Sequence, residues 1–279
     1  MPMRTREYGQ ANRRVEELNT QERQASLPAV REVGPAAIFR WLRLGWRDFR
    51  RAGWPSLMHG LIVFGMSVVI IEIALLFWPL LPGAVSGFLV VGPILATGLY
   101  ALSRRHEQGQ PSKLQDVLYA WRCGSRCLLR FGLLLALGAT AWVLLSMTLF
   151  HFFVDVEFAG PLDFVRYVFQ QDDGVFLLWT VLAGLVAAVT FAVSVVSVPL
   201  LVDRDVNTPM ALRTSARAVA ENPVTMVLWA LFILLATGFS VATFMLGFIV
   251  IYPVIGHASW HVYRDVVDAS PLTARKPHF

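Results

Sequence analysis

Apolar stretches of about 20 residues, nearly free of charge, recur along the chain at residues 57–78, 84–102, 128–150, 175–201, 224–240 and 243–262. About 20 apolar residues is what a helix needs to cross the hydrocarbon core of a bilayer. The last two stretches are read separately, because one helix over residues 224–263 would be about 60 Å long, twice the hydrocarbon thickness. A tight turn near residues 238–243 is expected to divide them. The pattern predicts an all-α polytopic membrane protein with six transmembrane helices.

Between these stretches lie short amphipathic segments. In residues 36–51, Arg40, Arg43, Arg47, Arg50 and Arg51 fall within about a 100° arc of a helical wheel, with Ile38, Leu42, Trp46 and Phe49 opposite. A cationic face against an aromatic and aliphatic one predicts a helix lying in the membrane interface, its arginines on anionic lipid head groups. The competing reading is an amphipathic helix packed on protein. Leu114, Val117, Leu118 and Trp121, with Arg122, Arg126 and Arg130 in a row, predict a second such helix. Asn207-Thr-Pro-Met opens a third, which carries Arg213 and Arg217 and stops at Asn222-Pro223. Pro35, Pro111 and Pro209 each open one of these helices ahead of a pair of spans. The second span of each pair carries Pro93, Pro199 or Pro253. This rhythm suggests a threefold helix-plus-hairpin repeat.

Composition narrows the class. With 56% hydrophobic and 15% charged residues among 279, the chain is too apolar for one ordinary soluble core. Its net charge of +5 does not require nucleic acid, since excess Lys and Arg mark the cytoplasmic loops of membrane proteins. All but one of the 24 Lys and Arg lie in the N-terminal region, residues 103–130, residues 202–223 and the C-terminal end. The exception, Arg166, sits in an acidic loop over residues 151–174. Six spans put every basic segment on one side, so a bacterial inner membrane with both termini cytoplasmic is expected. Residues 1–34, polar and without a signal-peptide core, read as a disordered tail; residues 35–268 are the membrane domain, and residues 269–279 a second tail. Cys123 and Cys127, four apart, suit neither a redox pair nor a zinc ribbon.

Few residues invite chemistry. Glu72 is the one formal charge deep within a span, and an intramembrane acid is by default a functional candidate. His59 or the His257/His261 pair are its candidate partners; the alternative is a position nearer the outer interface, or a protonated and hydrogen-bonded acid. His257 and His261 share a helix face at i, i+4, as haem or metal ligands do. Haem would need a second axial ligand, normally from another helix, and a metal further donors. Interface anchoring beside Trp260, Tyr263 and Arg264 is the competing reading. Pro93, Pro199 and Pro253 free carbonyls that could line a site or merely kink the helices. Phosphate loops, nucleophile elbows and zincin signatures are absent. No catalytic residue, metal site or cofactor is expected. The expected partners are anionic lipids and not nucleic acid, with self-association into a homo-oligomer left open.

Several motifs carry a resemblance: Leu44-Gly-Trp-Arg-Asp-Phe49, Pro55-Ser-Leu-Met-His-Gly60, Val91-Gly-Pro93 leading to Leu102-Ser-Arg-Arg105 and Glu107, Ser197-Val-Pro-Leu-Leu-Val-Asp-Arg204, and Pro253 to Arg264. With these the chain resembles a bacterial family of predicted integral membrane proteins, domain of unknown function 2189, over roughly residues 35–268. The resemblance implies a multi-span inner-membrane protein and assigns no reaction. The expected role is that of a non-enzymatic permease-like or assembly component, the alternative being a haem- or metal-binding redox component using His257 and His261.

Overall fold

Inside a bilayer the backbone must satisfy its own polar groups, which a helix does locally. The computed structural model describes residues 27–76, 92–111, 126–153 and 174–275, and about 81% of them are helical. Nine helices are described: α1 Ala37–Ala52, α2 Trp54–Leu76, α3 Thr97–Glu107, α4 Arg126–Phe153, α5 Val175–Ser194, α6 Ser197–Asp203, α7 Thr208–Glu221, α8 Pro223–Ala242 and α9 Ile251–Val266. Local signals act as expected at α7, where the Asn207 side chain accepts from Met210 N–H at 2.9 Å and Pro209 stands in the first turn.

Among the described residues, four segments are long and apolar enough to cross a membrane: Trp54–Ile73, Arg126–Phe153, Val175–Asp203 and Pro223–Ala242. The first, second and fourth bury only 28, 24 and 22% of their apolar windows. Leu129, Leu133 and Leu137 on α4 and Val227, Leu234 and Phe239 on α8 point outward. Lipid tails are as apolar as leucine, so such exposure carries no penalty in a bilayer.

The stretch over residues 243–262 is not one continuous helix. Helix α8 ends at Ala242, Phe244 and Met245 adopt positive φ (53° and 67°), and a 3-10 turn over Leu246–Ile249 leads into α9. Residues 84–91 of the expected second span, and residues 112–125 of the expected second amphipathic helix, lie outside the described residues.

Pro199 and Pro253 do not kink the middle of a helix. Each is the third residue of a new one, α6 and α9, where first-turn N–H groups lack intrahelical partners anyway and a missing donor costs little.

A densely packed cap sits on the spans, formed by α1, α3, α6, α7 and the end of α9. Its core holds Trp41, Leu200, Leu201, Trp260, Tyr263 and Val266, all fully buried. Helix α1 runs along α9, burying Ala37, Trp41, Gly45, Asp48 and Ala52. This buried stripe lies between the cationic and apolar faces anticipated for α1. Trp41 stacks edge-on against Trp229, ring centroids 5.8 Å apart. Gly45 permits the close approach, since a Cβ there would stand 2.7 Å from both Ala258 N and Val254 O. Arg40, Arg43, Arg47, Arg50 and Arg51 remain exposed, as does Trp46 at 46%.

Residues 29–33 and 267–275 are tied into this cap, so the packed domain reaches past 35–268 in each direction among the described residues. Strand β1 (Ala29–Val30) pairs antiparallel with β2 (Val267–Asp268). The Asn222 side chain accepts from Val33 N–H at 2.7 Å and donates to Arg31 O at 3.1 Å. Ala269 and Leu272 are buried, and Arg275 N–H donates to Asp203 O at 2.9 Å. The edges of the expected tails look polar in sequence, yet they satisfy their backbone groups against the cap.

Candidate functional site

Where α1, α2, α3 and α9 meet, six polar or ionisable side chains are linked out of water. Asp48, on the buried stripe of α1, is 2% exposed. Its Oδ2 accepts from Ser103 Oγ–H on α3 at 2.8 Å and contacts His261 Nε2 on α9 at 2.9 Å. His106 Nδ1, also on α3, stands 3.7 Å from Asp48 Oδ1. Ser103 Oγ is in turn 2.7 Å from His257 Nδ1, and Ser56 Oγ, in the first turn of α2, is 2.7 Å from His257 Nε2.

Proton counting fixes the directions. A serine hydroxyl has one hydrogen, and that of Ser103 goes to Asp48. His257 therefore donates from Nδ1 to Ser103 and accepts at Nε2 from Ser56. The carboxylate of Asp48 needs a hydrogen on His261 Nε2. Burial alone would raise the pKa of Asp48, but its hydrogen bonds with His106 and His261, and the electrostatic attraction of the neighbouring histidines, outweigh it. The group is held well below the usual carboxylate range.

Beside this network lies an ionic cluster. Asp203 at the end of α6 takes Arg104 at 3.1 Å, Arg204 at 2.9 Å and a hydrogen bond from Tyr263 O–H at 2.7 Å. Arg264 lies 3.2 Å from Glu107, which also accepts from Trp260 Nε1–H at 2.9 Å. The burial of Tyr263 and the neighbouring Asp203 push its phenol pKa far up.

Of the residues singled out in the sequence, the structure brings His257 and His261 together as parts of this network. It leaves Glu72 outside. Glu72 is exposed on α2, 16 positions beyond Ser56, or about 24 Å along the axis, so it contacts neither His59 nor the histidine pair. His59 is buried and stacks on Tyr252, ring centroids 6.0 Å apart. Cys127 is a half-buried free thiol, and Cys123 lies outside the described residues. Among the described residues, no group of three or more His, Cys, Asp and Glu is arranged to hold a metal ion. Asp48, Ser56, Ser103, His106 and Asp203 are additions from tertiary structure. Asp48, Ser56, Ser103 and Asp203 stand within the motifs that carry the family resemblance, and Asp48 is also the single acid within an arginine-rich amphipathic helix.

A packed cap on long lipid-exposed helices defines an integral membrane protein. Residues 80–203 match the model of the family described as predicted integral membrane protein, DUF2189, the family that the motifs resemble. No curated protein and no solved structure matches the chain. The matched stretch supplies Ser103, Arg104, His106, Glu107 and Asp203; the residues Asp48, Ser56, His257 and His261 lie outside it.

Proposed function

We propose that this chain is a non-enzymatic, permease-like protein of the bacterial inner membrane, crossing it six times with both termini in the cytoplasm. The observation that carries this reading is the buried polar line from Ser56 on α2 through His257 and Ser103 to Asp48. It joins a membrane span to the cap through groups that are costly to bury unless they serve a purpose.

The pairing of β1 with β2 supports an even number of crossings between them. After α2 the chain is back beside α1 at His106, whose carbonyl accepts from Arg51 at 3.3 Å, which supports a return crossing before α3. A second return, from Ala242 to Val266, completes six. The basic segments then face the cytoplasm. The exposed Arg43 and Arg50, with Trp46, suit contact with anionic lipid head groups. The threefold repeat gains support from α1 packing on α9 and α7 packing on α6, each a first helix against a proline-started one.

Glu72 is 18 positions from Trp54, about 27 Å along α2, close to the full hydrocarbon thickness. That depth favours the outer interface over a mid-membrane site. The redox alternative is disfavoured because both ring nitrogens of His257, and Nε2 of His261, already engage protein groups.

The test is re-swelling of proteoliposomes holding the full chain, followed by light scattering, against a panel of small neutral solutes. Faster re-swelling than in protein-free vesicles is expected, unchanged by Glu72→Gln. Rates equal to protein-free vesicles for every solute would leave the assembly role. A Soret band in the purified protein, with bands that respond to dithionite, would instead favour the redox reading.

A further inference from the structure

A carboxylate as buried as Asp48 needs a compensating positive charge, because an isolated ion out of water is strongly unfavourable. The groups facing it can be named from every element. Helix α1 offers Arg47, whose Nε is 4.0 Å away on a side chain 67% exposed. Such a group is largely screened by water. Helix α2 offers the neutral hydroxyl of Ser56, through His257. Helix α3 offers Ser103 and His106, with Glu107 already paired to Arg264. Helix α9 offers His257 and His261. No buried Lys or Arg among the described residues is in contact with this carboxylate. The remaining source of buried positive charge is an imidazole, the side chain that ordinarily changes charge near neutral pH.

We propose that Asp48 and His261, supported by His106, form a proton-binding site. Asp48 is the fixed counter-ion and His261 takes the proton at Nδ1, while its Nε2–H stays on Asp48. One proton enters from water, one N–H bond forms, and the imidazolium and carboxylate then neutralise each other. Ser103 donates to the same Asp48 oxygen and accepts from His257, so the charge state of the pair reaches Ser56 on α2 through hydrogen bonds. When the proton leaves, Asp48 is an uncompensated buried charge, and the contact of α1 with α3 and α9 weakens. The site stands apart from the permease-like reading, since its test needs no transport.

The sign follows from linkage. The imidazolium compensates the buried carboxylate, so its contribution to stability is present while His261 holds the proton and is lost as pH rises and the proton leaves. The experiment is thermal unfolding of the detergent-purified full chain at a series of pH values from mildly acidic to mildly alkaline. A fall of several degrees with rising pH is expected for the unaltered protein. His261→Gln keeps an N–H donor for Asp48 but cannot take a proton, and should remove that slope. Asp48→Asn removes the counter-ion and should also flatten it, which decides the matter if His261→Gln does not fold. His151→Gln, on the far end of α4, should retain the slope. A flat profile for the unaltered protein, or a slope that survives in both His261→Gln and Asp48→Asn, would overturn the proposal.

Discussion

Gly60 on α2 gives the sharpest test of the packing between α2 and the 3-10 turn Leu246–Ile249. A Cβ built there would lie 2.1 Å from Ile249 O, 2.7 Å from Ile249 C and 3.0 Å from Ile249 Cα. All three are backbone atoms, so no side chain can rotate away. The clash can be relieved only if α2 moves or the 3-10 turn Leu246–Ile249 shifts. Relief to an ordinary contact demands more than an ångström of movement where positive φ at Phe244 and Met245 already confines the chain. Overpacking commonly costs about 1–3 kcal/mol, and Gly60→Ala belongs at the upper end of that range. For a chain of this size, 3 kcal/mol corresponds to roughly 6–12 °C in Tm. Gly65, on the same helix, is the internal control, because a Cβ there meets nothing within 4 Å. Gly65→Ala should be neutral or stabilising by up to about 1 kcal/mol through helix propensity. Both variants are measured by thermal unfolding in one detergent with an intrinsic-fluorescence readout. Equal Tm values for the two would refute the close approach of α2 to the 3-10 turn.

Two further outcomes are expected. Asn222→Ala removes hydrogen bonds to Val33 N–H, Arg31 O and Ala218 O, a loss of about 2–3 kcal/mol at roughly 1 kcal/mol each. It should also release β1, and limited proteolysis before residue 35 that is no faster than in the unaltered chain would count against this anchoring. Asp48 governs the acid side of the stability profile: its folded pKa is depressed, so its contribution is present above the ordinary value of 3.8 and is lost as pH falls below it. Tm should therefore drop more steeply below about pH 4 in the unaltered protein than in Asp48→Asn, and equal slopes would exclude the carboxylate.

The proton site and the stability argument share one residue, and that residue shows how sequence and structure divide the information. In the sequence Asp48 is one acid among five arginines of an amphipathic helix. The wheel sorts α1 into a cationic face, which the structure leaves exposed, and an apolar face, of which Trp46 is exposed while Ile38 and Leu42 pack against the core. The third stripe, Trp41-Gly45-Asp48-Ala52, mixes residue types and has no periodic apolar signal. It becomes meaningful only once α9 is laid against it.

Whatever depends on the local solvent was legible in the chain itself. Apolar runs of bilayer length determine that the protein is membrane-embedded and helical, because each backbone group must find a partner nearby. Asn207 and Pro223 mark helix starts by chemistry that reaches no further than a turn. The resemblance to a family of membrane proteins was legible for the same reason, in runs of residues close in sequence. Tertiary structure alone decided the rest. It assembled Asp48, Ser56, Ser103 and the two histidines from four helices up to 213 positions apart. It tied residues 29–31 to residues 266–268, turned Pro199 and Pro253 from kinks into helix starts, and left Glu72 away from the histidines. These are facts of which faces meet, and burial makes each polar group depend on partners that only packing can supply.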